Sequence, residues 1–120
     1  MTKNDRQAVF DKYEGRCAYC GCELSKGWHA DHVKPIRRSI KKNGKCRYPN
    51  RDSIENCMPA CASCNINKHQ MSIEEFRNLI SGFMKHLNER NTQYKMAKRY
   101  GLVEEIDKEV RFYFEKQIKI

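Results

Sequence analysis

Apolar residues are sparse along this chain, and where they recur regularly the spacing is more often that of a helix than of a strand. Val9, Phe10 and Tyr13 form a stripe at one-turn spacing that predicts a short helix over 5–14, with Gly15 placed to end it in the left-handed conformation. Ser72-Ile73-Glu74-Glu75 is a capping box, and Ile73, Phe76, Ile80, Phe83 and Leu87 follow at steps of three or four residues, predicting an amphipathic helix of about four turns. Residues 92–100 suggest another short helix, stopped by Gly101. Trp28 to Val33 reads as a strand that Pro35 closes, because proline cannot donate to a continuing ladder. Ile54 to Ala60 can supply the returning strand, and Cys61 to Lys68 a short helix. Near the end, Val110, Phe112 and Phe114 alternate with Arg111, Tyr113 and Glu115 as a half-buried strand would, although Val103, Ile106 and Val110 also fit a helix. These elements describe an α+β chain without internal repeats.

Composition narrows the picture. At 120 residues the chain is most simply one domain. Only 22 residues are Leu, Ile, Val or Phe, so the apolar core must be thin, and a thin core calls for a staple. Seven cysteines, an odd number that includes two Cys-x-x-Cys pairs, favour metal over disulfides. Met1 leads into a polar run and no window approaches 18 apolar residues, so the expectation is a cytoplasmic protein with reduced thiols and no membrane partner. Lys and Arg outnumber Asp and Glu by 24 to 15, giving a net charge of +9 that favours a polyanionic partner, nucleic acid before a membrane surface.

The four thiolates of Cys17, Cys20, Cys61 and Cys64 suit tetrahedral Zn²⁺, because each Cys-x-x-Cys turn presents two sulfurs and chain folding brings the pairs together. Cysteines without an ion, or an iron site, are the alternatives. Forty residues separate the pairs, enough to hold the strand ending in Asp31-His32 and a basic loop. Cys22, Cys46 and Cys57 are left over; Cys57 reads as a small buried residue, and Cys22 is near enough to compete with Cys20.

The order Cys17-x-x-Cys20, Asp31-His32-Val33-x-Pro35, Asn56, Cys61-x-x-Cys64-Asn65-x-x-Lys68 resembles the HNH endonuclease family in its zinc-stapled form, over about 52 of the 120 residues. The resemblance implies a ββα-metal (His-Me finger) core, stapled by the four-cysteine zinc site and flanked by helices, with residues 17–68 as catalytic core and 69–120 as a mainly helical extension. It also implies that His32 is the general base, that Asn56 holds the loop in shape, and that the Asn65 position helps to bind a catalytic ion. Many family members carry histidine where Asn65 stands, so a more oxygen-rich site shifts the expected ion toward Mg²⁺ or Mn²⁺, with Ni²⁺ a further candidate. Size and the lack of an added recognition domain resemble small phage-type HNH proteins, which brings in a partner in phage DNA packaging as a further expectation.

The residues support this chemistry independently. Phosphodiester hydrolysis needs a deprotonated water and positive charge where negative charge accumulates. An imidazole, with an ordinary pKa of about 6.5, can take that proton near neutral pH. Asp31 and Asn65 offer oxygen ligands that leave coordination sites open. His69, four residues past Asn65, would share its helix face if the helix runs that far, and is a further candidate ligand; His29 is another. Neighbours on an ideal strand point to opposite faces, so Asp31 and His32 can share a site only if the strand bends or ends there, as Pro35 and a bond from Asn56 to the loop backbone could arrange. In the basic loop over 37–51, Arg37, Arg38, Lys41, Lys42, Lys45 and Arg47 are candidate phosphate contacts, with Lys68 one more; the alternative is a solvated loop whose charges keep the protein soluble. The expectation is thus a metal-dependent DNA endonuclease, monomeric or homodimeric. A non-catalytic zinc-ribbon binding module and an RNA-cleaving nuclease are its rivals.

Overall fold

The computed structural model describes residues 1–34 and 52–117. Helix α1 (Lys3–Asp11) starts at a capping box in which the Thr2 hydroxyl accepts from the Asp5 amide and the Asp5 carboxylate accepts from the Thr2 amide. Its last residue is Asp11, with Lys12 as cap, so it stops three residues short of the expected end at 14; turns carry the chain on to Gly15, whose φ of 77° is left-handed and whose missing Cβ makes room for the Phe10 ring: a Cβ there would lie 2.9 Å from Phe10 Cζ. The chain then makes the first cysteine turn and runs into β1 (His29–His32).

The returning chain takes one turn of 3₁₀ helix (Ile54–Asn56) before β2 (Cys57–Ala60), so the returning strand is shorter than expected. The two strands form an antiparallel pair, with Asp31 opposite Met58 and His32 opposite Cys57. Helix α2 (Ala62–Lys68) comes directly after, giving two strands and a helix in the predicted order. Among the described residues no helix is long and apolar enough to cross a membrane.

Two expectations need correction in the C-terminal part. The four-turn helix divides into α3 (Ile73–Ser81) and α4 (Phe83–Arg90) at Gly82, whose ψ of −7° opens the helical ladder at the residue type that resists this least. The strand expected over 110–114 is absent. After α5 (Thr92–Arg99) and the left-handed Gly101, residues 103–112 run without regular structure to a one-turn helix, α6 (Tyr113–Lys116). The alternating aromatic residues there serve packing instead of a sheet: the Tyr113 and Phe114 amides donate to the carbonyls of Tyr19 and Ala18, and Phe112 enters the core, stacked on Phe76 at 5.3 Å. Arg77 of α3 fastens this segment by donating to the Val110 carbonyl and both carboxylate oxygens of Glu115.

Cys17, Tyr19, Ala60, Phe76 and Phe112 make the buried cluster. Tyr19 is its centre, meeting Phe76, Phe112 and Phe114 edge-on at 5.7, 5.5 and 6.2 Å. Residues from β2, α3 and the C-terminal segment therefore converge on the turn between Cys17 and Cys20.

Candidate active site and metal centre

The first cysteine turn is fixed by its own backbone and by β2. The Cys17 amide donates to the Cys22 carbonyl, the Gly21 amide to the Cys17 carbonyl, and the Ala18 amide to the Pro59 carbonyl. The second turn begins α2, where Cys61 occupies the N-cap and its sulfur accepts from the Cys64 amide at 3.4 Å. Together they place the sulfurs of Cys17, Cys20, Cys61 and Cys64 within 4.8 Å of one another, with 3.8 Å between those of Cys20 and Cys61. A Zn–S bond of about 2.3 Å in a tetrahedral site puts neighbouring sulfurs about 3.8 Å apart, so this donor set fits a zinc ion in chemistry and in size. Cys20, not Cys22, completes the set. Crowding already divides the thiols electrostatically: the hydrogen bond between Cys17 and Cys64 pulls Cys17 down to about 4 and pushes Cys64 up.

The second cluster lies where β1 ends. Asp31 is buried between the hairpin and α2, and its Oδ2 accepts from the Tyr19 hydroxyl at 2.5 Å and faces the Lys68 ammonium at 3.2 Å. Burial raises the Asp31 pKa, while the Tyr19 hydrogen bond and the Lys68 charge oppose that rise. Tyr19 is pushed upward by its own burial and by the neighbouring carboxylate.

Lys68 departs from expectation. It is completely buried, so it cannot reach a phosphate from this position; besides facing Asp31, it donates to the His32 carbonyl at 3.1 Å. A buried ammonium needs a carboxylate and further acceptors, and the strand end supplies both. Lys68 fastens α2 to the end of β1.

His32 takes different partners from Asp31. Its side chain is 21% exposed, with Nε2 3.0 Å from Asp52 Oδ1. The strand ends at His32, and Asn56 shapes the backbone just beyond it: its side chain accepts from the Lys34 amide and donates to the Lys34 carbonyl, both at 2.9 Å, while its own carbonyl accepts from the Val33 amide. These are bonds from Asn56 to the loop backbone of the kind the sequence suggested.

Asn65 is half-buried on α2. The helix stops at Lys68, and His69 comes next with a φ of 51°, exposed, so the continued helix face on which His69 would have joined Asn65 is absent. His29 is exposed at the far end of β1. Among the described residues, Asp31, His32 and His69 are not gathered into a group of three potential ligands. Arg37, Arg38, Lys41, Lys42, Lys45 and Arg47 lie outside the described residues.

Sequence reasoning passed over Tyr19 and Asp52. Tyr19 stands inside a Cys-x-x-Cys turn, where attention goes to the sulfurs, and Asp52 closes a segment otherwise marked by positive charge. The signal available was positional: an aromatic hydroxyl beside a metal ligand, and an acid four residues before Asn56.

A sequence model described as "HNH endonuclease" matches residues 17–71. A Bacillus subtilis (strain 168) protein named "SPbeta prophage-derived putative HNH endonuclease YoqL" is 30% identical over 84 residues, covering 60% of this chain and 31% of that protein. The chain thus spans about a third of the length of the curated relative it matches. No solved structure matches significantly.

Proposed function

Residues 17–71 of this chain belong to the HNH endonuclease family, and from that premise we propose that the protein is a metal-dependent endonuclease hydrolysing DNA phosphodiester bonds to 5′-phosphate and 3′-hydroxyl ends. The observation that carries this reading is the end of β1, where His32 sits on the last strand residue and Asn56 clamps the backbone of Lys34 from both sides.

His32 is the general base. With Nε2 directed to Asp52, the ring presents Nδ1 to the attacking water and takes its proton. Asp52 orients the ring and favours the imidazolium that results. Asn56 keeps the polypeptide after His32 in one conformation, so that the base is held ready for the phosphate. Asp31 and Asn65 would hold the divalent ion, with His69 a further ligand if the end of α2 rearranges; Tyr19 and Lys68 both engage Asp31 Oδ2, which leaves Oδ1 as the oxygen to offer it. Bound there, Mg²⁺, Mn²⁺ or Ni²⁺ would supply positive charge to the phosphate and to the departing 3′-oxygen. Zn²⁺ on the four cysteines is structural, because four sulfur ligands leave no open position. The basic residues among positions 37–51 contact DNA phosphates without reading sequence. The extension after residue 68 forms one working unit with the core, as the burial of Phe76 and Phe112 against Cys17 and Tyr19 supports.

The test is incubation of end-labelled duplex DNA with zinc-loaded protein and Mg²⁺, Mn²⁺ or Ni²⁺, followed by ligation of the products without kinase treatment. Cleavage giving directly ligatable ends is expected. Cleavage of RNA alone, or DNA binding without cleavage under every metal, overturns the proposal.

A further inference from the structure

The hydroxyl of Tyr19 joins the cysteine clamp to the strand end. Tyr19 lies between Cys17 and Cys20, so its backbone is positioned by the turn that presents two of the four sulfurs. Its ring is 3% exposed and is held edge-on by Phe76, Phe112 and Phe114, which leaves the hydroxyl one direction in which to point. A buried hydroxyl and a buried carboxylate each require a partner: Tyr19 donates to Asp31 Oδ2, which the Lys68 ammonium faces as well at 3.2 Å. The same tyrosine is tied at its carbonyl to the Tyr113 amide, so the aromatic segment near the C-terminus also bears on where the hydroxyl lies.

We infer that Tyr19 is a positioning residue for the divalent-ion site: by holding Oδ2 it fixes the Asp31 carboxylate so that Oδ1 faces the ion. The inference rests on the reading of Asp31 as an ion ligand. A clamp that holds its shape sets the hydroxyl, the hydroxyl sets the carboxylate, and the carboxylate sets ion affinity. The cysteine site and the proposed ion site are thereby coupled through Tyr19, beside the ion pair that Lys68 makes from α2. Hydrogen-bond partners of metal ligands elsewhere are worth roughly 10–100-fold in affinity.

The experiment uses the full, zinc-loaded chain and Mn²⁺ alone, titrated by electron paramagnetic resonance without DNA, for wild type, Tyr19→Phe and Asp31→Ala. Zinc content and the far-ultraviolet circular dichroism of Tyr19→Phe should match wild type, because the ring and its packing remain; Asp31→Ala is made together with Lys68→Met, so that no buried ammonium is left unpaired, and passes the same two checks. Mn²⁺ affinity should fall roughly 10-fold in Tyr19→Phe and be lost in Asp31→Ala. The Mn²⁺ concentration giving half-maximal cleavage should rise by the same factor, with the rate at saturating Mn²⁺ little changed. If Asp31→Ala abolishes binding but Tyr19→Phe leaves it unchanged, the positioning role is refuted and Asp31 stands as ligand. If Asp31→Ala binds as wild type does, or wild type binds no Mn²⁺, the assignment of Asp31 has failed and this inference falls with it. Loss of zinc from Tyr19→Phe would contradict it as well, showing a tyrosine needed for the fold of the clamp itself.

Discussion

A single buried lysine decides how the strand end is held. Lys68 has no exposed surface and answers the charge of Asp31 while donating to the His32 carbonyl. Its worth lies in what its removal leaves behind: a carboxylate in the interior with only the Tyr19 hydroxyl for support. Breaking a buried ion pair at one partner costs about 3–5 kcal/mol, whereas replacing both partners by neutral groups costs far less. Lys68→Met, which keeps the volume and removes the charge, should therefore lower the urea-unfolding free energy by about 3–5 kcal/mol. Adding Asp31→Asn should restore much of that loss. A Lys68→Met protein as stable as wild type would show that the ammonium is dispensable to the fold, against the arrangement described.

At the scale of elements, periodicity was readable wherever packing followed it. The capping box at Ser72 and the left-handed Gly101 after α5 are local signals, and each lies where the pattern put it, whereas α1 stops at Asp11, before the left-handed Gly15 expected to end it. The HNH motif placed β1, β2 and α2 within a few residues, because the cysteine spacing and Pro35 constrain where the strands can lie. The alternating aromatic residues at 110–114 misled because their partners are distant: the Tyr19 and Ala18 carbonyls and the Phe76 ring sit more than 30 residues away in sequence. Lys68 misled for the same reason, since charge in a sequence implies solvent and only the fold shows the carboxylate waiting for it. The clamp that orders these elements is itself testable. Stripping zinc with a strong chelator under reducing conditions removes a contribution of about 10–16 kcal/mol, more than a thin core can replace. The near-ultraviolet dichroism of the Tyr19, Phe76 and Phe112 cluster should collapse, and one equivalent of Zn²⁺ should restore it. A spectrum unchanged by chelation would contradict a structural zinc.

For the molecule as a whole, charge and site point the same way. A net charge of +9 draws the protein to a polyanion. The hairpin and α2 carry a histidine at the end of a strand and a buried carboxylate behind it, the groups that the proposed function sets against that polymer. Attraction alone would make a binding protein; in the proposed function it is the imidazole of His32 that separates cutting a phosphodiester from holding it. That difference is read most directly by incubating supercoiled plasmid with zinc-loaded wild type and His32→Ala in Mg²⁺ or Mn²⁺, after confirming that the variant folds and binds DNA as wild type does. The account predicts nicking or linearisation by wild type and a rate reduced at least 100-fold in His32→Ala, within the range of about 10²–10⁴ for loss of a general base. Equal cleavage by the two proteins would contradict the assignment of His32, and DNA bound but left intact by wild type in every metal would contradict the nuclease itself.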